Sequence, residues 1–306
     1  MTDLATYASP VSPATARDTT RTTVSVCIPA YQAEEHLRAT INSVLAQQCA
    51  DVEVVVVDNH STDGTATVLS QIDDPRVRVV RNPITVSMVD NFNIAVRESR
   101  GDYVKLVCAD DLLTPQCVRI QSSVLDKYPS VSLVSARTDF VDDRGRIMRP
   151  ARGIRGIVGK KPSQEVARRI VRSGTNPIGP PVAAMFRRAD FERCGGFRDD
   201  SLFLMDLDLW VRLLQRGEFY GLATALASFR IRSDSSTALT SARSQLAQQL
   251  AFAHGIASDA QWSVSAGDQL WGRARTYDMQ LRRTGLYLLG ARRAHRRRGG
   301  GGSDAG

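Results

Sequence analysis

No stretch of the chain approaches the roughly 20 consecutive apolar residues that crossing a bilayer requires. Neither GxGxxG nor GxxxxGKS/T occurs, which argues against a dinucleotide oxidoreductase and a P-loop kinase. The five cysteines (Cys27, Cys49, Cys108, Cys117 and Cys194) form no CxxC pair, and several lie inside apolar segments. They read as buried, reduced thiols of a cytoplasmic protein. Four scattered histidines argue against a histidine-based zinc site. Aromatic residues make up only 6% of the chain and do not interleave with Arg and Lys, so no nucleic-acid partner is expected. Residues 1–22 are polar, rich in Thr, Ala and Pro, and lack an apolar h-region. They are expected to be a disordered leader and not a signal peptide.

What remains is an ordinary globular composition over 306 residues, 42% hydrophobic and 24% charged. The net charge of +8 is unevenly placed. Arg282 to Arg298 carries seven arginines and no acid, and Arg144 to Arg172 carries ten Lys and Arg against Glu165 alone. The rest of the chain is therefore acidic by eight charges, unlike a uniformly basic nucleic-acid binder.

Val24–Ile28 reads as a first strand stopped by Pro29, followed by a helix with Leu37, Ile41, Val44 and Leu45 on one face. Val52 to Val57 is a near-continuous Val run, as in a strand covered on both sides. Strands and helices then alternate through Val77–Val80, Met88–Val96, Tyr103–Ala109 and Ser130–Ser135, the signature of a parallel α/β sheet. Thr114-Pro115 resembles an N-cap with Pro at the first helical position. Arg144 to Gly159 reads as a hairpin or mobile loop, Leu207 to Leu214 as a helix, and the chain beyond residue 235 as largely helical.

Two of these strands end in carboxylates, Asp58 and Asp110-Asp111, and ligands of such sheets sit beyond the carboxyl ends of the strands. A carboxylate at Asp58 could accept the N3–H of uracil or thymine, or the N1–H of guanine, and would disfavour cytosine. A capped turn built on Ser61 or Asp63 is the plainer alternative. Adjacent acids at 110 and 111 suit Mg²⁺ or Mn²⁺, which take one or two carboxylates plus substrate phosphates. A solvated turn is the competing reading.

Several segments together resemble the inverting nucleotide-sugar glycosyltransferases of family 2. They are Ile28-Pro29-Ala30-Tyr31-Gln32, Val57-Asp58-Asn59-His60-Ser61-Thr62-Asp63-Gly64-Thr65, Gly101–Lys105 leading to Asp110-Asp111, Asn176–Pro181, Phe186-Arg187-Arg188, Gly195-Gly196-Phe197 and Asp206–Leu213. The resemblance spans about residues 23 to 232. It implies a GT-A-type, Rossmann-like, mostly parallel α/β sheet flanked by helices, with a helical C-terminal extension. The implied division is a glycosyltransferase domain over 23–235, an extension with a basic amphipathic end over 236–298, and a flexible Gly-rich tail over 299–306.

The same resemblance implies a nucleotide site formed by Pro29, Ala30, Tyr31, Glu34, Asp58, Ser61 and Asp110, and a metal held by Asp111 with Asp110. Asp206 would be the catalytic base, with Asn176, Gly179, Pro180, Asp208, Trp210 and Arg212 near the acceptor or donor sugar. UDP- or dTDP-sugars are the favoured donors and GDP-sugars are possible. The acceptor is a glycan, a lipid-linked group or a small molecule. Departures are Asn59 where relatives often carry an acid, Ile84 for a common Gly, Met205 before Asp206, and Phe229-Arg230-Ile231-Arg232 where a His is frequent. Any metal or phosphate role of that His is then either missing or taken over by Arg232. The Arg-rich C-terminal helix could rest on an anionic membrane or pack on its own body. Two alternatives stay open, a sugar nucleotidyltransferase and a non-catalytic nucleotide-binding protein.

Overall fold

The computed structural model describes residues 24–49, 51–231 and 240–280. The expected leader, the basic amphipathic end, the Gly-rich tail and Arg232 lie outside the described residues. No helix among the described residues is long and apolar enough to cross a membrane.

The first half of the sheet is parallel, in the order β3 (Val77–Arg81), β2 (Val52–Asp58), β1 (Val24–Ala30), β4 (Tyr103–Leu106). Side chains of a strand alternate between faces, and β1 and β2 are apolar on both. Cys27, Val55 and Val57 join one core cluster, while Val26, Ile28, Val54 and Val56 join the other. On the first face lies α3 (Met88–Arg97), started by Ser87, whose hydroxyl accepts from Asp90 N. On the second lie α1 (Leu37–Leu45) and α4 (Cys117–Lys127). Each fully buried Val or Leu contributes about 1.5–3 kcal/mol, which explains why an uninterrupted Val run can serve here. Between β2 and β3 sits the short α2 (Thr65–Ser70).

Beyond α4 the sheet becomes mixed. The long strands β6 (Val131–Val141) and β10 (Glu218–Arg230) run parallel to each other, and β9 (Ala184–Arg187) runs antiparallel between β4 and β6. The short β5 (Leu112–Leu113) and β8 (Gly159–Lys161) pair with β10, and β7 (Ile147–Arg152) folds back on β6. The Arg/Gly segment is thus a hairpin. Helices α5 (Ser163–Ser173), α6 (Arg188–Cys194) and α7 (Met205–Leu214) cover this half. The chain then forms α8 (Ala242–Ser258) and a helical run over 266–280. That run lies against α5 so closely that a Cβ on Gly272 would fall 2.1 Å from Val171 O. Arg168 and Arg172 of α5 both pair with the buried carboxylate of Asp268.

The α/β class is as expected. Two local expectations are corrected. Thr114 does not cap α4, which begins at Cys117; its amide and hydroxyl both donate to Leu226 O of β10. The fourth strand stops at Leu106 instead of Ala109, leaving 107–111 as the turn that carries the acid pair.

Candidate active site

Parallel β1, β2 and β4 bring Ala30, Asp58 and the turn at Asp110-Asp111 to one rim of the sheet. Of the three residues expected to line a base pocket from β1, only Tyr31 is accessible, at 54%. Pro29 and Ala30 are buried within the strand, and Ala30 O accepts from Asn59 N at 2.9 Å. Gln32 turns the chain with a positive φ of 48° and stitches two loops together. Its amide donates to Ser61 Oγ, and its Oε1 accepts from Thr62 N and Asp63 N. Glu34, expected at the nucleotide, accepts from Gly64 N at 3.0 Å. A Cβ at Gly64 would lie 2.4 Å from the Glu34 carboxyl group, so a side chain there would displace Glu34.

Asp58 is buried, and its carboxylate is already engaged. Oδ1 accepts from Ser61 N at 3.0 Å and Oδ2 from Arg81 Nη1 at 2.7 Å. Arg81 also donates to Ser61 O at 2.9 Å. Asp63 does the turn-holding work, with Oδ1 accepting from Thr65 N and Oδ2 from Glu34 N. Asn59 is a strut: its carboxamide bonds to both Val86 N and Val86 O, and to Asn82. Arg81 was missed from sequence. Its position opposite Asp58 follows from the β2–β3 register, which residue order alone does not reveal.

At the next loop Asp111 is fully buried. Its Oδ1 accepts from Arg230 N at 2.9 Å, while Oδ2 has no hydrogen-bond partner. Burial, then the neighbouring Asp110, push its carboxyl well above the usual range, opposed by Arg230 and Lys105. Arg230 holds the turn to the β6–β7 hairpin by donating to Asp110 O, Asp142 O and Asp143 O. Lys105 is buried in β4, bonded to Gln121 Oε1 and Val182 O, and desolvation lowers its pKa. Two successive acids, one with an orphaned buried oxygen, fit a divalent cation. Among the described residues no group of three or more His, Cys, Asp or Glu side chains could hold a metal alone. The remaining ligands would therefore come from elsewhere, as diphosphate oxygens would supply.

Asp206 stands in the first turn of α7. Both oxygens receive donors: Oδ1 from Leu207 N at 2.7 Å and Oδ2 from Asn176 Nδ2 at 3.0 Å. Asn176 is itself fixed, because its Oδ1 accepts from Ile178 N and Gly179 N. Desolvation outweighs these bonds and raises Asp206 to about 6. The Cys108 thiol is pushed up by burial and then by the charges of Asp111, Asp110 and Asp206. Asp206, Asn176, Gly179 and Pro180 line a cavity of about 310 Å³. Asp208, Trp210 and Arg212 do not. Trp210 is buried and donates to Gly179 O at 3.1 Å, supporting the cavity wall from behind. Arg212 pairs with Asp208 one turn away and donates to Cys194 O. On α7, Trp210 and Arg212 are buried and Asp208 is half-buried.

The model of Glycosyl transferase family 2 matches residues 25–195. The chain belongs to this family, and its fold is that of a GT-A-type glycosyltransferase. An uncharacterised protein of Mycobacterium tuberculosis (strain CDC 1551 / Oshkosh) is 31% identical over 199 residues, covering 63% of this chain and 62% of that one. EpsE of Bacillus subtilis (strain 168), provisionally named a glycosyltransferase, is 26% identical over 69% of this chain and 73% of its own. Among solved structures, S. aureus TarS 1–349 in complex with UDP-GlcNAc superposes with a TM-score of 0.62 at 18% identity, covering 83% of this chain and 71% of that one. The mannosyltransferase PcManGT from Pyrobaculum calidifontis, in complex with GDP-Man and Mn2+, gives 0.61 at 21% identity over 85% and 70%. At these identities the likeness is one of fold.

Proposed function

We propose that this chain transfers a sugar from a nucleoside-diphosphate donor to an acceptor hydroxyl with inversion, in the making of a surface polysaccharide, glycolipid or glycosylated metabolite. The observation that carries the reading is the buried Asp111, its Oδ2 without a partner, beside Asp110 at the rim of the sheet where the parallel strands end. Asp111 and Asp110 would hold Mg²⁺ or Mn²⁺ on the donor diphosphate, and a bound cation supplies charge neutralisation for the departing group. Tyr31 is placed for stacking on the base, and the Asp58–Arg81 pair for its polar edge, Arg81 offering a donor to a base carbonyl. Such an edge suits uracil, thymine or guanine.

Asp206 is suited to the general base. It is poised near neutrality, receives two donors that favour its ionised form, and opens on a cavity. The acceptor O–H passes its proton to Asp206 as the acceptor oxygen bonds the anomeric carbon. The anomeric C–O bond to the diphosphate breaks, and its electron pair leaves with the diphosphate. One displacement from the opposite face inverts the centre. The five free cysteines suit a reducing cytoplasmic setting, where the Arg-rich C-terminal segment could meet the inner face of a membrane.

The test is a thermal-shift screen of UDP-, dTDP- and GDP-sugars with and without Mn²⁺. A donor at about 100 times its Kd adds about 2.7 kcal/mol to the folded state. Stabilisation that requires both sugar nucleotide and Mn²⁺ is the expected result. No response to any donor would overturn the reading.

A further inference from the structure

The cavity beside Asp206 is closed by a part of the chain that the family model does not reach. Its far wall comes from α8 and the helical run over 266–280, while the model ends at residue 195. Gln245 and Gln249, one turn apart on α8, face it together. Gln249 is only 6% exposed, lines the cavity, and its Nε2 has no hydrogen-bond partner. A buried amide donor left unmatched costs free energy of the order of a lost hydrogen bond. Its partner is therefore to be sought among groups that enter the cavity. Gln245, by contrast, spends its Nε2 on Thr240 O.

The lining is otherwise mixed in a particular way. Phe140, Phe203 and Leu246 provide apolar surface, and Asn176, Thr276 and Gln280 provide uncharged polar groups. Among the described residues that line it, only Arg152 and Asp206 are charged, and their charges cancel once Asp206 is ionised. Carboxamides both donate and accept, which matches hydroxyl groups. Aromatic and aliphatic surface matches the C–H face of a pyranose ring. Against the described lining, a carboxylate- or phosphate-bearing acceptor would meet one cation, Arg152, and a buried base of its own sign. At about 310 Å³ the cavity is at the small end of ligand sites, suited to one sugar ring more than to a large aglycone.

We infer that the acceptor end of the site takes an uncharged sugar ring, a hydroxyl of which accepts from Gln249 Nε2 while another reaches Asp206. This rests on the glycosyl-transfer reading. It assigns acceptor choice to residues 240–280 of this chain, beyond the segment matched to the family.

The test separates the two. With the full chain and a donor found by thermal shift, nucleoside-diphosphate release is measured with methyl glycosides of glucose, galactose, mannose and N-acetylglucosamine. Their 6-phosphate and uronic acid counterparts form the second arm. Expected is saturable stimulation by at least one neutral glycoside. Gln249→Leu should raise its half-saturating concentration about tenfold, with donor-induced stabilisation unchanged. Stimulation by charged counterparts alone, or an unmoved half-saturation in Gln249→Leu, overturns the inference. So does the absence of any response in wild type to the neutral set, a result that depends on no variant. If donor binding is also absent, the glycosyl-transfer reading falls with it.

Discussion

Asn176 gives the most direct handle on the proposed base. Its Nδ2 donates to Asp206 Oδ2, and a protonated Asp206 could not use that donor in the same way. Asn176→Ala removes one hydrogen bond to the ionised form. Hydrogen bonds to charged groups contribute about 1.5–3 kcal/mol, and one pKa unit corresponds to about 1.4 kcal/mol. With some relief from entering water, the shift should be about one unit upward, from about 6 to near 7. Because the base works ionised, activity is lost as pH falls through its pKa. At pH 6.5 the ionised fraction would drop from about three quarters to about one quarter, a slowing of about threefold. At pH 8.5 both forms are almost wholly ionised and the difference vanishes. The assay is nucleoside-diphosphate release across pH 5 to 9 at saturating donor. Loosening of the 176–179 loop would lower the rate at every pH. An acid limb with an unmoved midpoint would refute the claim that Asn176 favours the carboxylate.

Asp206→Asn should bind donor with unaltered affinity and lose transfer, and unchanged turnover would remove Asp206 from the mechanism. The same variant tests the burial argument. A carboxyl raised from 3.8 to about 6 keeps its proton longer in the folded state, so wild-type stability falls as pH rises from about 4 through 6. The stability of Asp206→Asn relative to wild type should therefore grow from pH 4 to pH 8 by about 1–3 kcal/mol, read from denaturant melts; a pH-independent gap would contradict it. Asp111→Ala should abolish Mn²⁺-dependent donor binding in calorimetry, and retention of the metal effect would move the cation elsewhere. Gly221→Ala would place a Cβ 2.1 Å from Ile157 O and 2.6 Å from Ile154 Cγ2, inside the core. A loss of about 1–3 kcal/mol in urea melts is expected, and a neutral effect would mean that the 154–157 turn yields easily.

Much of the donor half is legible in residue order because its signals are local. A Val run that ends in an acid gives both the strand and the rim on which that acid sits, as at Val52–Asp58. Ser87 ahead of Met88 gives a helix start with its own cap. What stays hidden depends on pairing between distant segments. Arg81 becomes a partner of Asp58 only through register, and Arg230 reaches the Asp110-Asp111 turn only because β10 closes against β5 and β6. Trp210 and Arg212 follow Asp206 on α7, and only the docked helix shows that both are buried and off the cavity wall. The cavity wall on α8 carries no motif. Gln245 and Gln249 sit in a stretch whose polar residues gave no sign of burial before α8 was docked.

The four residues of β9 join two sheets that would otherwise be separate. They hydrogen-bond β4 on one side and β6 on the other, with chain direction reversed. A truncated product ending before residue 184 would thus leave β4 with an open, apolar edge ready to recruit other chains. The half that carries Asp58, Asp110 and Asp111 is consequently no detachable module: during synthesis it stays adhesive until the ribosome has released β9. Shortening the gene from its 3′ side should yield inclusion bodies before it yields a minimal donor-binding fragment.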